Sequence, residues 1–334
     1  FKKGLSTYKL GSNYVSDNLF RLSVGDNKKT SFLDCIEELS KILGDSRSID
    51  NLIGDENLFT PLLFTQLNNG NLIEIFKSDI DDETKFNLWK DKYSRNLSLL
   101  KIRNVNILKD LYTSFTNFKK YHYSDSYKNP DFYLDLLGRP GFIFDEPINI
   151  VILEKTSYDD DSKINLVCPK SFLGTSNIDI SNNSIILINT GNYFEPVVGI
   201  RFITRKQDLN KTIEPFEPII FFNHKETTES QISRTNITTI IKLMNKNCLE
   251  MREDYRNNVF RNNLNNLSEI TKKVGEENIS KYILGNNIKV IGILLSNNLF
   301  LPIIPSGITE SILSNLENID YLKSRLLSLD TFNQ

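Results

Sequence analysis

The stretch that most constrains this chain is residues 184–201, Ser-Ile-Ile-Leu-Ile-Asn-Thr-Gly-Asn-Tyr-Phe-Glu-Pro-Val-Val-Gly-Ile-Arg. Residues 185–188 form a short run rich in β-branched side chains, the pattern of a strand buried on both faces. Thr190-Gly191-Asn192 carries turn chemistry, with Gly191 free to adopt a positive φ. A second strand follows over 193–201, in which Pro196 is expected to mark an edge or a bulge. The product is a central hairpin with an aromatic and acidic corner, Tyr193-Phe194-Glu195, at its mouth. Such corners suit function because the flanking strands hold them in place. Tyr193, Phe194 and Glu195 are therefore the candidate interaction residues.

The rest of the chain arranges itself around that hairpin. Residues 1–21 read as strand and loop. A turn at 24–27 leads to a helix capped by Thr30 or Ser31, with Phe32, Leu33, Ile36, Leu39 and Ile42 at helical spacing and Gly44 as its C-terminal stop. Further helices are predicted around 57–67, after Asp81-Asp82-Glu83, along 97–122 and from Asn129-Pro130 to Leu137. Strands at 148–154, 164–168 and 218–222 then accompany the hairpin. Helices are expected again at 228–249 and 268–284, followed by a hairpin over 289–304 and an amphipathic helix from Thr309 to about residue 329. The fold class is α/β or α+β, a mixed central sheet flanked by helices. Residues 1–227 hold the helical N-terminal part and the sheet. Residues 228–334 hold helices and a hairpin that either stands apart or rejoins the same sheet.

Charge and cysteine usage narrow the function classes. With 40 Lys and Arg against 42 Asp and Glu, composition alone does not supply the one-signed surface that non-specific nucleic-acid binding needs. The remaining basic candidate is local, Lys119-Lys120 with Tyr121 and Tyr123. No apolar run reaches the roughly 18 residues of a spanning helix, so no membrane partner is expected. Cys35, Cys168 and Cys248 are odd in number and widely spaced, which predicts no disulfide framework, no Cys-x-x-Cys metal site and a reducing compartment. Two histidines, His122 and His224, are too few for an ordinary zinc set. Asp159-Asp160-Asp161 lacks the glycine and terminal glutamate of a calcium loop and reads as solvated. No phosphate loop, G-x-S-x-G or H-E-x-x-H occurs, and neither cofactor nor metal is expected.

The turn and helix start at 26–33, followed much later by a strand ending in a Gly-Asn-aromatic corner, resembles the papain-like layout of the OTU family of deubiquitinating cysteine proteases. That family carries Asp-Gly-Asn-Cys at the helix start and a His followed by an aromatic residue on the late strand. The resemblance places Ser31 at the nucleophile position and Tyr193 at the general-base position. Asp26 and Asn27 fall near the family's Asp and Asn, with Lys28, Lys29 and Thr30 intervening. A Cys–His pair works because imidazole takes the thiol proton near neutral pH. A tyrosine with a pKa near ~10 does not replace it. The resemblance thus implies a degenerate, non-catalytic copy. The Asn-, Ile- and Lys-rich texture is also similar to uncharacterised proteins of large nucleocytoplasmic DNA viruses, which implies an intracellular setting, host cytoplasm or virion.

The leading expectation is therefore a pseudoenzyme, an interaction or structural protein that binds a protein partner. A second reading is a cysteine hydrolase of the deubiquitinase type using Cys35 with His224 or His122. Cys35 sits one turn too deep in its helix for that, among Phe32, Ile36 and Leu39. A third is nucleic-acid association through the Lys119-Lys120 patch. His122, between two tyrosines at the end of a long helix, reads as structural. Phe300 and the Pro302-Ile303-Ile304-Pro305 segment fit exposed apolar surface and core equally well.

Overall fold

Two apolar runs, β3 (Ile148–Lys155) and β5 (Asn183–Thr190), lie side by side in parallel register at the middle of the larger sheet. Their side chains alternate between two cores, as the two-residue period of a strand requires. Ile150, Ile152, Ile185 and Leu187 join the main core, while Val151, Leu153, Ile186 and Ile188 meet Val197, Phe222 and Cys248 on the other face. The computed structural model describes residues 6–10, 13–25, 27–45, 47–80, 82–155, 164–168, 182–204, 217–222, 239, 242–243, 246, 248 and 265–320.

From β5 the chain reverses at Gly191 (φ 59°) and Asn192 (φ 68°) into β6 (Tyr193–Thr204). Two successive positive φ values in a two-residue loop are the hairpin geometry whose twist matches the strands. Outside β6 lie β2 (Asn13–Arg21) and then β1 (Ser6–Leu10). Outside β3 lies β4 (Ile164–Val167), and β7 (Glu217–Ile219) pairs with residues 199–201 of β6. The order is β1-β2-β6-β5-β3-β4, so the predicted mixed sheet is present with two N-terminal strands added. Pro196 corrects an expectation, because β6 is interior. The proline sits where β6 changes partners: residues 193–196 pair with β5 and residues 197–204 with β2. A residue without an N–H fits at such a handover.

Helix α1 (Ser31–Ile42) lays Phe32, Leu33, Ile36 and Leu39 into the main core, and its first turn packs on β6 through the edge-on Phe32–Phe194 pair at 5.4 Å. Gly44 (φ 85°) ends it as expected. Short helices α2 (Ile49–Gly54), α3 (Pro61–Gln66), α4 (Asn71–Phe76), α5 (Glu83–Lys92) and α6 (Ser94–Leu99) gather around α7 (Val105–Tyr123). The stripe predicted over 97–122 is thus two helices, because the chain breaks at 100–104, where Lys101 takes φ 51°. Phe59, Phe64, Phe115 and Phe118 form an aromatic cluster at the centre of this body. A 3-10 turn and α8 (Leu134–Leu137) lead into β3.

The C-terminal part builds a second sheet in the order β10-β9-β8-β11, from β8 (Ile279–Leu284), β9 (Val290–Leu295), β10 (Phe300–Ser306) and β11 (Leu316–Asn318). The 289–304 hairpin therefore stands in its own sheet and does not rejoin the first. Helix α9 (Leu267–Val274), opened by an Asn266–Glu269 capping box, ends before Gly275, so residues 279–284 are strand where helix was predicted. The helix expected from Thr309 to about residue 329 starts instead as a 3-10 segment over 310–315 followed by β11, and its part beyond residue 320 lies outside the described residues. The second sheet docks on the helical body through a shared apolar core, the Lys289–Asn71 and Arg139–Glu310 contacts and a tight turn at 68–70. Asn68 (φ 48°), Asn69 (φ 53°) and Gly70 (φ 73°) are all left-handed there. The Asn68 amide donates to Asp135 at 2.7 Å, and the Gly307 amide donates to the Asn69 side-chain oxygen at 2.6 Å.

Cys168 and Cys248 are joined in a disulfide across a sequence separation of 80. This overturns the expectation of three unpaired cysteines. Pairing follows the distance between Cα atoms, here 5.6 Å, which spacing along the chain does not reveal. It also removes the cysteine argument for a reducing compartment, since persistent disulfides are characteristic of oxidising ones.

Candidate functional site

The start of α1 and the start of β6 meet, bringing together the two motifs that lie 163 residues apart. Ser31 is buried, and its Oγ accepts the Phe194 amide hydrogen at 3.1 Å while facing the Lys28 carbonyl at 3.3 Å. The Tyr193 hydroxyl donates to the Gly25 carbonyl at 2.6 Å and lies 3.2 Å from Ser23 Oγ. Glu195 forms an ion pair with Arg21 at 3.1 Å. Both ends of the 22–30 turn are thus fastened to the hairpin mouth. The Asn27 side chain organises its interior, accepting from Lys29 N at 3.0 Å, and the Lys29 carbonyl accepts from Lys128 N at 2.8 Å.

The three candidate interaction residues separate once placed. Phe194 is a core residue, 1% exposed, and offers nothing to a partner. Tyr193 and Glu195 are half-buried, and the turn residues Gly191 and Asn192 are exposed. The accessible corner is therefore Gly191, Asn192, the edge of Tyr193 and the Arg21–Glu195 pair. Arg21, Gly191 and Asn192 were not among the interaction residues read from the sequence. Strand alternation from Tyr193 would have flagged the inward turn of Phe194.

The alternative nucleophile is placed differently. Cys35 is fully buried. Burial, with smaller contributions from the Asp34 and Glu195 charges, pushes its thiol well above the ordinary range, which is the reverse of what a thiolate nucleophile needs. Asp26, Asp159, Asp160, Asp161 and His224 lie outside the described residues. His122 is buried in a separate cluster, its Nδ1 3.3 Å from the Tyr133 hydroxyl and its Nε2 2.9 Å from an Asp50 oxygen. Asp50 acts on the ring chiefly through its charge. Burial holds the imidazole below its ordinary pKa, against the opposing pull of Asp50.

The basic patch is also dismantled by the fold. Lys119 is half-buried, with Nζ 5.7 Å from the Phe115 ring centroid, and desolvation lowers its pKa. The Tyr121 hydroxyl donates to Tyr127 O and accepts from Asn129 N, while the Tyr123 hydroxyl donates to Asp50 O. Only Lys120 and Tyr123 remain exposed. In the 302–305 segment Ile303 is core and Pro302 exposed, with Phe300, Ile304 and Pro305 between the two. Among the described residues no group of three or more His, Cys, Asp or Glu could hold a metal ion, and no helix is long and apolar enough to cross a membrane.

These features define a mixed α/β protein with two sheets and a closed corner between a helix start and a central hairpin. No protein-family model, curated protein or solved structure matches the chain.

Proposed function

We propose that this protein is a non-catalytic interaction or structural protein whose helix–hairpin corner is a recognition element on a degenerate papain-like scaffold. The observation that carries this reading is the Ser31 Oγ contact with Phe194 N. The oxygen at the nucleophile-like position is committed to a buried backbone amide, and the neighbouring phenol is committed to Gly25 O. Side chains already spent on the backbone rigidify the corner and leave no proton-transfer pair there. Recognition through a rigid hairpin tip needs no more than that. A viral, intracellular setting remains part of the proposal on the strength of sequence texture alone.

The test is paired. The purified chain is challenged with an electrophilic ubiquitin probe, and separately used to capture partners from lysate alongside an Asn192→Arg, Glu195→Lys double variant. The reading expects no covalent adduct, and a partner retained by the wild type but lost by the variant. An adduct at Cys35, or capture that is indifferent to the corner, would sink it.

A further inference from the structure

At the opposite end of β5 from Tyr193, a cavity of about 250 Å³ opens between the end of α1, the 142–146 loop and the 220–222 segment. Its floor is apolar: Ile143, Phe144 and Ile148 are buried beneath it, Phe221 stands edge-on to Phe144 at 5.7 Å, and Leu43 flanks it. The rim is acidic, with Asp45, Asp145 and Glu146 against the single guanidinium of Arg47.

Arg47 is not available to a ligand. Its Nε donates to Asp45 Oδ2 at 2.6 Å, its Nη1 to the Phe142 carbonyl at 3.3 Å and its Nη2 to Asp145 Oδ1 at 3.0 Å. An anion entering the cavity would find no free cation and would face Glu146, which is exposed and has no ion-pair partner among the described residues. The α1 C-terminus adds the negative end of a 12-residue helix dipole next to Leu43. Acidic rim and helix terminus both favour positive charge, while the floor favours a hydrocarbon stem with an aromatic contact. Lysine and arginine share the stem. Arginine alone adds a planar face that stacks on aromatic rings and a fork that matches carboxylate.

We propose that this cavity is a docking site for an arginine side chain of a partner polypeptide, the stem lying on Leu43 and Phe144 and the guanidinium meeting Glu146. It is separate from the Tyr193 corner and stands whether or not that corner binds anything.

The test is heteronuclear NMR of the full chain titrated with the capped pentapeptide acetyl-Leu-Arg-Leu-Arg-Leu-amide, with a norleucine-for-arginine version as control. The expected result is saturable shifts at Leu43, Phe144, Glu146 and Phe221. They should be weakened about two- to fivefold by the isosteric Glu146→Gln and at least as much by Glu146→Lys, the range that loss of one exposed ion pair gives. Raising salt to ~0.5 M should weaken them as well. Equal shifts from the norleucine peptide, undiminished binding by well-folded Glu146→Gln, or no shift at these residues would each overturn the proposal.

Discussion

Ser31 Oγ and the amide of Phe194 are 3.1 Å apart, both buried, and joined across 163 residues of sequence. A helix N-terminus and the first residues of a central strand are thereby pinned by one side-chain contact. Ser31→Ala removes the acceptor and leaves a buried N–H unsatisfied, at a cost of about 1–3 kcal/mol. Urea denaturation should show a lower midpoint with an unchanged slope. A midpoint equal to wild type would mean that the contact contributes nothing.

Cys35 should behave as a core residue. Thiol reagents are expected to leave it unmodified in the native protein and to modify it fully in denaturant, since it is buried and its thiol stays protonated. Cys35→Ala should fold, with a loss in the range of about 1–2 kcal/mol for a small cavity. Rapid native labelling would show that α1 opens around Cys35.

The Cys168–Cys248 bridge closes a long loop over the second, smaller apolar cluster. Reduction, or a Cys168→Ser, Cys248→Ser double variant, should lower stability by about 2–4 kcal/mol. Denaturation with and without reductant reads this directly. Indifference to reductant in the wild type would show that the bridge is absent or without consequence.

His122 predicts a pH dependence of definite sign. Burial lowers its folded-state pKa below the ordinary 6.5, so between the two values the unfolded chain binds more protons. Its contribution to stability is complete above about pH 6.5 and declines as the solution is acidified toward the folded pKa. Urea midpoints for wild type and His122→Gln should converge over that window. Parallel curves would show that the residue does not titrate on unfolding.

The Arg21–Glu195 pair, by contrast, should matter little to stability. Arg21 is half exposed, and exposed pairs contribute roughly 0–1 kcal/mol. Arg21→Ala is expected to shift the urea midpoint only slightly, and a large loss would show that the pair is part of the corner's architecture.

Much of the larger sheet was legible because its signals are local. Residues 185–188 bury both faces, and Gly191-Asn192 has the residues a two-residue hairpin loop demands. Gly44 and Asp82 likewise ended and began helices where their chemistry says they should. What was not legible depends on distance in space. Nothing in the order of residues says that Cys168 finds Cys248, or that the 290–306 hairpin builds a second sheet. Residues 279–284, Ile-Ser-Lys-Tyr-Ile-Leu, are apolar enough for either a helix or a strand. Gly275, which ends α9, decided between them. At the corner, the resemblance set Ser31 opposite Tyr193, whereas the Ser31 hydroxyl meets the Phe194 amide and the Tyr193 hydroxyl turns to Gly25; the burial of Phe194 needed only strand alternation.

The left-handed Asn68-Asn69-Gly70 turn bears on the order of events during synthesis. Its fastening to Gly307 spans 238 residues, so the helical body around α3 and α4 emerges from the ribosome long before the residue that completes its turn. Until then the turn is fastened from the body's side alone, by the Asn68 amide on Asp135. A chain stopped before residue 307 therefore lacks the contact that completes the turn from the second sheet.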